Sequence, residues 1–195
     1  VIRGFKTYVS HVPKDGFLIA NQDDPNIKKI LSARHYTVRA AAPKVLYYSR
    51  KQKEAGKLRK ILKIPGEHNV SNALAALTVA RILNIPDTVS YRALGQYKGS
   101  WRRFEIFKLT KPKPYTLVSD YGHHPTEIKV TVEAARSKWP KKKIWLVFQP
   151  HQYARTWYLW NDFVKVLSRL PVDKLIITDI YDVAGREEKS IKNSV

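Results

Sequence analysis

Residues 115–156 read YTLVSDYGHHPTEIKVTVEAARSKWPKKKIWLVFQPHQYART, and this segment sets the architecture of the 195-residue chain. The apolar run at 115–119 predicts a strand. Apolar residues at helical spacing, behind a proline suited to a first turn, predict a helix over 125–138. The run at 144–148 is apolar throughout, which is typical of a parallel strand buried on both faces.

The same alternation continues toward the end of the chain. A helix is predicted over 156–169, with Trp157, Trp160, Val164 and Leu167 on its buried side, and a strand over 175–179. This β-α-β-α-β order predicts a mostly parallel sheet with right-handed crossovers. Polar clusters follow the three strands, at 120–127, 149–156 and 179–185. Because strand carboxyl ends and helix amino ends meet at one edge, we expect these clusters to face one crevice.

The first half of the chain also mixes helices and strands. Strands are predicted over 17–20, 35–40, 45–48 and 57–64, and a helix is predicted to begin near Pro25, with Ile27, Ile30 and Leu31 facing inward. Pro65-Gly66 ends the last of these strands, and a helix follows from His68 or Asn69 to a left-handed cap at Asn84. Asp87 is expected to cap a further helix that ends near Tyr97. Gly99-Ser100 then marks a boundary, which predicts an α/β protein with one domain over 1–98 and a second over 99–195.

Composition limits the classes of function. The chain has 44% hydrophobic residues, no run of apolar residues long enough to span a membrane, and no Cys. These features are typical of a cytoplasmic enzyme without disulfides. The chain also lacks Met, including at position 1, and we therefore expect it to be part of a longer protein.

The net charge of +20 raises nucleic acid as a partner, because a cationic surface attracts polyanions. The basic runs at 50–53 and 141–143 lie in predicted turns, and no nucleic-acid-binding motif accompanies them. Charge alone is non-specific. A basic nucleic-acid-binding module is therefore the disfavoured interpretation.

His123 and His124 allow two interpretations. Imidazoles bind metals, but adjacent loop residues rarely point at one ion, and only Asp120 and Glu127 lie nearby as acids, so we expect no metal site here. In the second interpretation, one histidine caps the helix and its neighbour points into the crevice, where a helix amino end favours a phosphate or carboxylate. Asp120 either hydrogen-bonds a ribose hydroxyl or orients a cation, or it is a structural acid of the loop or of the helix cap.

Further residues are candidates for binding an anion or a nucleotide. Arg102-Arg103 sits at the domain boundary, where a guanidinium can grip an anion or simply be solvated. Arg155 lies in the opening turn of a helix, where its positive charge is unfavourable next to the positive end of the helix dipole unless an anion is near. Asn69 and Asn72 share one helix face, and capping explains only the first of them. The sequence contains no Walker A, Gly-x-Gly-x-x-Gly or Gly-x-Ser-x-Gly motif.

Four ordered motifs carry a resemblance: residues 65–76 (PGEHNVSNALAA), 102–105 (RRFE), 120–127 (DYGHHPTE) and 148–156 (FQPHQYART). Together they resemble the Mur ligase family, and most closely its members that join L-alanine to UDP-N-acetylmuramate. The resemblance covers nearly the whole chain. It implies the latter part of a central ATPase domain, followed by most of a Rossmann-like carboxy-terminal domain.

The resemblance implies ATP-driven amide synthesis through an acyl phosphate, in the assembly of peptidoglycan precursors. Its implied partners are UDP-N-acetylmuramate, L-alanine, ATP and Mg²⁺, and the ligands of Mg²⁺ are expected upstream of Val1. By the family pattern, the ATP-binding residues are His68, Asn69, Asn72, Arg103 and Asp120. The substrate-facing residues are His123, His124, His151 and Arg155.

Ser119 and Gln152 depart from the family pattern, which has an acid and an arginine at these positions. The phosphate-binding loop and the uridine-nucleotide domain are also expected before Val1, so the chain alone is expected to be inactive. Three competing functions stay open: a ligase that attaches a recycled tripeptide, the basic nucleic-acid-binding module, and a nucleotide sensor without catalysis.

Overall fold

The computed structural model describes residues 1–31 and 43–181. The chain divides into two compact units, the first formed by Val1–Lys63 with Glu67–Lys98 and the second by Ile64–Gly66 with Gly99–Val195. The predicted strand over 35–40 lies outside the described residues.

The described elements alternate between helix and strand. In chain order they are α1 Ile2–Ser10, β1 Phe17–Asn21, α2 Pro25–Leu31, β2 Lys44–Tyr48, α3 Lys53–Ile61, α4 Glu67–Ile82, α5 Asp87–Gln96, β3 Glu105–Leu109, β4 Tyr115–Ser119, α6 Pro125–Lys138, β5 Trp145–Phe148, α7 Tyr153–Tyr158, α8 Trp160–Leu167 and β6 Lys174–Ile177. The predicted α/β class is confirmed, because two of the three strand pairs in the described residues are parallel.

In the first unit, β1 and β2 pair in parallel, with Phe17 opposite Lys44 and Asn21 opposite Tyr48. Helix α4 packs against both strands and against α3 and α5. The core lies between these helices and consists of Ala55, Leu58, Val70, Ala73 and Leu74, all at most 4% exposed. Burying this apolar surface is what holds the short parallel pair in place.

The predicted strand over 57–64 is wrong, because these residues belong mostly to helix α3. Ala55 and Leu58 are fully buried and Ile61 packs against the same core, which is the three-residue spacing of one helix face. Helix α1 was not predicted, whereas the helix beginning at Pro25 is confirmed, with Ile30 buried.

Residues near the chain turn determine where α4 ends and where α5 begins. The predicted left-handed stop at Asn84 is confirmed, since its φ is 56°. The prediction that Asp87 caps the next helix is wrong: Pro86 is the cap residue and Asp87 begins the helix, where its carboxylate binds Arg81 at 2.7 Å. An acid in a first turn is still favoured by the helix dipole.

The second unit contains two strand pairs. β3 and β4 form an antiparallel hairpin, with Glu105 opposite Ser119. β5 and β6 run in parallel, with Trp145 opposite Lys174. Helices α6 and α8 pack on one face of the β5–β6 pair, in a core of Ile128, Val132, Phe148 and Phe163, each at most 6% exposed. The predicted inward face of α6 is therefore confirmed.

Two burial predictions in this unit are wrong. The helix predicted over 156–169 breaks at Leu159 into α7 and α8, so Trp157 and Trp160 are 60% and 59% exposed and Phe163 is buried in their place. Val164 is half exposed as well. Strand β5 is covered on one face only among the described residues, since Val147 is 62% exposed while Phe148 is buried.

Candidate functional site

A cleft of about 1310 Å³ opens in the second unit, between β4 and β5 and above α6. Apolar side chains such as Leu117 and Val132 line its middle. Its polar end is formed by residues that follow the strands, among them Tyr121, His123 and His151. The strand–loop–helix order of the sequence thus brings two of the three predicted polar clusters, and Tyr181 of the third, to one place. Residues 182–185 of the third cluster lie outside the described residues.

Four aromatic rings meet at this end of the cleft. The Tyr121 ring lies 5.4 Å from that of His123 and 6.1 Å from that of His151, measured between centroids. The two imidazoles are 6.2 Å apart. The ring of Tyr181 packs against His151 at 5.5 Å. Such contacts restrict the orientation of each imidazole.

The loop after β5 is held by the parallel pairing that continues past the strand. The amide of Gln152 donates to the Tyr181 carbonyl at 2.8 Å, and the Tyr181 amide donates to the Pro150 carbonyl at 2.8 Å. Gln152 adopts a left-handed φ of 69°, a strained conformation for a residue other than glycine. Arg155 then reaches back from α7, and its Nη1 lies 3.4 Å from Nδ1 of His151 and 3.3 Å from the same residue's carbonyl.

The loop after β4 is organised by a capping box at the start of α6. The Thr126 amide donates to Nδ1 of His124 at 3.2 Å, and Oε2 of Glu127 accepts from the His124 amide at 3.1 Å. The same Oε2 accepts from the His123 amide at 3.0 Å. One histidine therefore caps the helix while its neighbour lines the cleft, which is the second of the two interpretations predicted for this pair.

The carboxylate of Glu127 accepts hydrogen bonds from the backbone amides of both histidines. Burial would raise its pKa, but the hydrogen bonds from the His123 and His124 amides outweigh burial, and the positive charge of Arg103 acts in the same direction. The pKa of Glu127 therefore lies below its usual value, and the side chain is an anion at neutral pH.

Asp120 ties two loops together. Its Oδ1 accepts from the Gly122 amide at 2.7 Å and its Oδ2 accepts from the Phe104 amide at 2.9 Å. Phe104 is buried, stacks on Trp139, and has a left-handed φ of 52°. The Asp120 carboxylate thus fixes a strained turn beside the cleft.

The two boundary arginines are placed differently. The guanidinium of Arg102 lies 4.6 Å from the centre of the Tyr121 ring, a cation–π contact, and Arg102 lines the cleft. Arg103 is exposed and acts electrostatically on Glu127. Of the two arginines predicted as candidates for binding an anion, Arg102 therefore lines the cleft, whereas Arg103 acts on the carboxylate of Glu127.

The remaining predicted ATP ligands lie in the first unit. His68, Asn69 and Asn72 occupy the first two turns of α4, where Asn72 is exposed and His68 and Asn69 are half-buried. Glu67 begins the same helix and binds Arg59 through two hydrogen bonds of 2.7 and 2.8 Å. These contacts fix the start of α4.

Two kinds of feature are missing from residues 1–31 and 43–181. No group of three or more histidine and acidic side chains is arranged there to hold a metal ion. In the same residues, none of the helices combines the length and apolar character needed to cross a bilayer.

Two family models cover most of the sequence. The model of the Mur ligase middle domain matches residues 1–80, and that of the Mur ligase glutamate ligase domain matches residues 102–194. The chain belongs to the Mur ligase family. Mur ligases are ATP-dependent, and the α/β fold with parallel strands fits the family.

Several relatives of this Mur ligase chain are UDP-N-acetylmuramate–L-alanine ligases. That of Aquifex aeolicus is 39% identical over 93% of the chain and 42% of the relative. That of Paraburkholderia phytofirmans is 38% identical over 92% and 43%, and that of Methylococcus capsulatus 37% over 98% and 45%. The chain therefore spans less than half the length of these relatives.

Solved structures agree with the family. UDP-N-acetylmuramate-alanine ligase MurC from Thermotoga maritima superimposes with a TM-score of 0.51 at 34% identity, over 62% of this chain and 26% of that one. MurF from Acinetobacter baumannii superimposes with a TM-score of 0.63 at 18% identity, over 88% and 40%, and at that identity it shows the fold alone.

Three residues of this site were not predicted as binding residues: Tyr121, Glu127 and Tyr181. For Glu127 a signal existed, because an acid three residues after a helix cap is the capping-box pattern. Tyr181 belongs to the predicted polar cluster 179–185, but only the parallel pairing shows that it lies beside His151.

Proposed function

We propose that this chain belongs to an ATP-dependent ligase that joins L-alanine to the carboxylate of UDP-N-acetylmuramate in peptidoglycan precursor synthesis. The observation that carries the proposal is the convergence of His123 and His151 at the polar end of the cleft, with Arg155 bound to His151. The names of the relatives indicate the reaction. In this proposal the protein acts in the cytoplasm.

The substrate-facing residues are His123, His124, His151 and Arg155. Arg155 and the imidazole N–H groups of His124 and His151 suit the carboxylate of an amino acid and the oxygens of an acyl phosphate, because charge-assisted hydrogen bonds to oxyanions are strong. His124 uses Nδ1 to cap α6, so in this proposal Nε2 is the nitrogen that binds a ligand. The apolar part of the cleft limits water, which would hydrolyse an acyl phosphate.

The ATP-binding residues are His68, Asn69, Asn72, Arg103 and Asp120. Asparagine amides both donate and accept, which suits the edge of adenine. Asp120 already accepts two amides, but a carboxylate has about four lone-pair positions and can also accept from a ribose hydroxyl. The acids that would hold Mg²⁺ belong to further parts of the ligase in this proposal.

The test is phosphate release by the complete gene product that carries this sequence. We expect release only when ATP, UDP-N-acetylmuramate and L-alanine are all present, and background release from residues 1–195 alone. Release that needs the recycled tripeptide in place of L-alanine would favour the recycling ligase. Turnover by residues 1–195 alone would contradict the proposal that the acids that hold Mg²⁺ belong to further parts of the ligase.

A nucleic-acid-binding module and a nucleotide sensor predict different binding behaviour. The module would bind duplex DNA with a steep dependence on salt, and its binding would weaken when residues 141–143 are neutralised. The sensor would bind ATP tightly as residues 1–195 and release no phosphate. We expect neither result.

A further inference from the structure

Hydrogen bonds determine which ring nitrogen carries the hydrogen in His123. Its Nδ1 lies 3.0 Å from the Tyr121 carbonyl oxygen. A carbonyl can only accept, so Nδ1 of His123 is the donor. In the neutral ring the lone pair is then on Nε2.

His124 and His151, at the same end of the unit, have the opposite tautomer. The Thr126 amide can only donate, so Nδ1 of His124 accepts. The Arg155 guanidinium can only donate, so Nδ1 of His151 accepts. Both neutral rings therefore carry their hydrogen on Nε2, where they are donors. Among these three histidines, His123 is the one whose Nε2 can take up a proton.

The charged groups around His123 come from every element packed against it. Glu127 on α6 is anionic, and its Oε2 lies 3.8 Å from Nδ1 of His123. Arg103 precedes β3, and its positive charge helps to keep Glu127 anionic. The His151 ring lies 6.2 Å away, with Arg155 bound to it. Arg102 is bound to the Tyr121 ring, which itself contacts His123. The arrangement of acid, imidazole and open Nε2 is that of an oriented general base.

We propose that His123 is the proton acceptor for the incoming amine, and that His124 and His151 act as hydrogen-bond donors to oxyanions. This inference rests on the proposed function. The amino group of free alanine is an ammonium at neutral pH and has no lone pair with which to attack. Nε2 of His123 takes one proton from it: an N–H bond of the ammonium breaks, an N–H bond forms on Nε2, and the positive charge passes to the imidazole.

The neutral amine then attacks the acyl phosphate carbonyl and a C–N bond forms. The C–O bond to phosphate breaks with its electron pair on the departing phosphate, and that phosphate takes the second proton from the nitrogen, which leaves a neutral amide. Glu127 is a positioning residue in this scheme, because its Oε2 holds the His123 amide at 3.0 Å and its charge faces the ring. It touches neither the amine nor the acyl phosphate.

The first experiment reads the tautomers directly, in residues 1–195 labelled with ¹⁵N-histidine. Long-range ¹H–¹⁵N correlation spectra at about pH 8.5, above the ordinary imidazole pKa near 6.5, distinguish the protonated from the bare ring nitrogen. We expect His123 to carry its hydrogen on Nδ1 and His124 and His151 on Nε2. A His123 signal with the hydrogen on Nε2 overturns the inference whatever the protein's activity.

The second experiment uses the complete gene product and compares two nucleophiles. Hydroxylamine is a neutral base at neutral pH, so it captures an acyl phosphate without a proton acceptor, whereas alanine requires one. For His123→Gln we expect roughly a 10²- to 10⁴-fold loss of kcat with alanine, in line with general-base catalysis, and little loss of hydroxamate formation. The loss with alanine should shrink as pH rises and the free amine becomes abundant. His11→Gln, an exposed histidine of the first unit, is the matched control and should change neither rate.

The outcomes separate the two proposals. If the wild-type protein uses neither nucleophile, the proposed function fails. If the wild-type protein is active and His123→Gln loses both reactions equally, or keeps the alanine reaction, the assignment of His123 fails while the function stands.

Discussion

Asp120→Ala should loosen the turn that borders the cleft, because one carboxylate holds both of its loops. The change removes acceptors at 2.9 Å from the Phe104 amide and at 2.7 Å from the Gly122 amide. Phe104 is 5% exposed, so leaving its amide without an acceptor costs about 1–3 kcal/mol. The Gly122 amide is half-buried and water can replace part of its bond, which leaves about 1 kcal/mol.

The sum, about 3 kcal/mol, corresponds to roughly a hundredfold increase in the local opening constant. Phe104 adds to this sensitivity, because its left-handed backbone is held in place by the surrounding contacts. Asp120→Asn keeps one carbonyl-type acceptor and should show an intermediate effect.

Hydrogen exchange read by mass spectrometry measures the opening directly. Peptides covering 102–109 and 119–124 should exchange about a hundredfold faster in Asp120→Ala, while peptides from the first unit should be unchanged. Asp179→Ala, which removes an exposed carboxylate from the same unit, is the matched control. Exchange within threefold of wild type in Asp120→Ala, or an equal effect in the control, would refute this account and leave ligand binding as the role of Asp120.

Three further predictions concern stability. Leu58→Ala should lower the free energy of unfolding of the first unit, measured in urea, by about 2–5 kcal/mol, because Leu58 is fully buried. The control Leu83→Ala, at a 63% exposed site, should lower it by less than about 0.5 kcal/mol, and equal losses would contradict the core assignment. Arg136→Lys should lower the free energy of unfolding of the second unit by about 1–3 kcal/mol in thermal melts, because a lysine cannot reproduce the fork that binds three backbone carbonyls and a carboxylate. An unchanged melting temperature would contradict this prediction. Hydrogen bonds from Ser49 and from the amide of Arg50 lower the pKa of the Asp23 carboxyl. The stability that the ionised carboxylate contributes is therefore present above the unfolded-state pKa near 4 and is lost as pH falls through the lower folded-state pKa. Asp23→Asn should remove this part of the pH dependence of the unfolding free energy in urea titrations, and an unchanged pH dependence would show that these bonds do not contribute.

Local patterns in the sequence were sufficient for several elements. Helix α6 begins and ends where the proline and the apolar spacing predict, and the turn at Asn84 is left-handed as expected for a residue that tolerates positive φ. The division of labour between His123 and His124 also follows from local chemistry, because a polar side chain before a proline-led helix can reach the first free amides. These features depend on contacts within a few residues.

Other features depend on tertiary contacts that the spacing of residues in the sequence does not reveal. Residues 57–61 have apolar positions compatible with a strand or a helix, and packing against α4 decided for helix. The break at Leu159 turned Trp157 and Trp160 outward, although their spacing fits the buried face of one continuous helix. Short apolar runs leave this choice open, because period alone does not show which face finds a partner.

The sequence by itself determined the family, the α/β class, and the polar clusters after strands, because each depends on local motifs and on the order of elements. Tertiary structure alone decided the chemistry within the cleft. The tautomer of each histidine depends on the partner that its Nδ1 meets, and the pKa of Glu127 depends on two amides folded onto one oxygen. Proton positions are set by hydrogen-bond geometry, and that geometry exists only once the loops after β4 and β5 have been brought together.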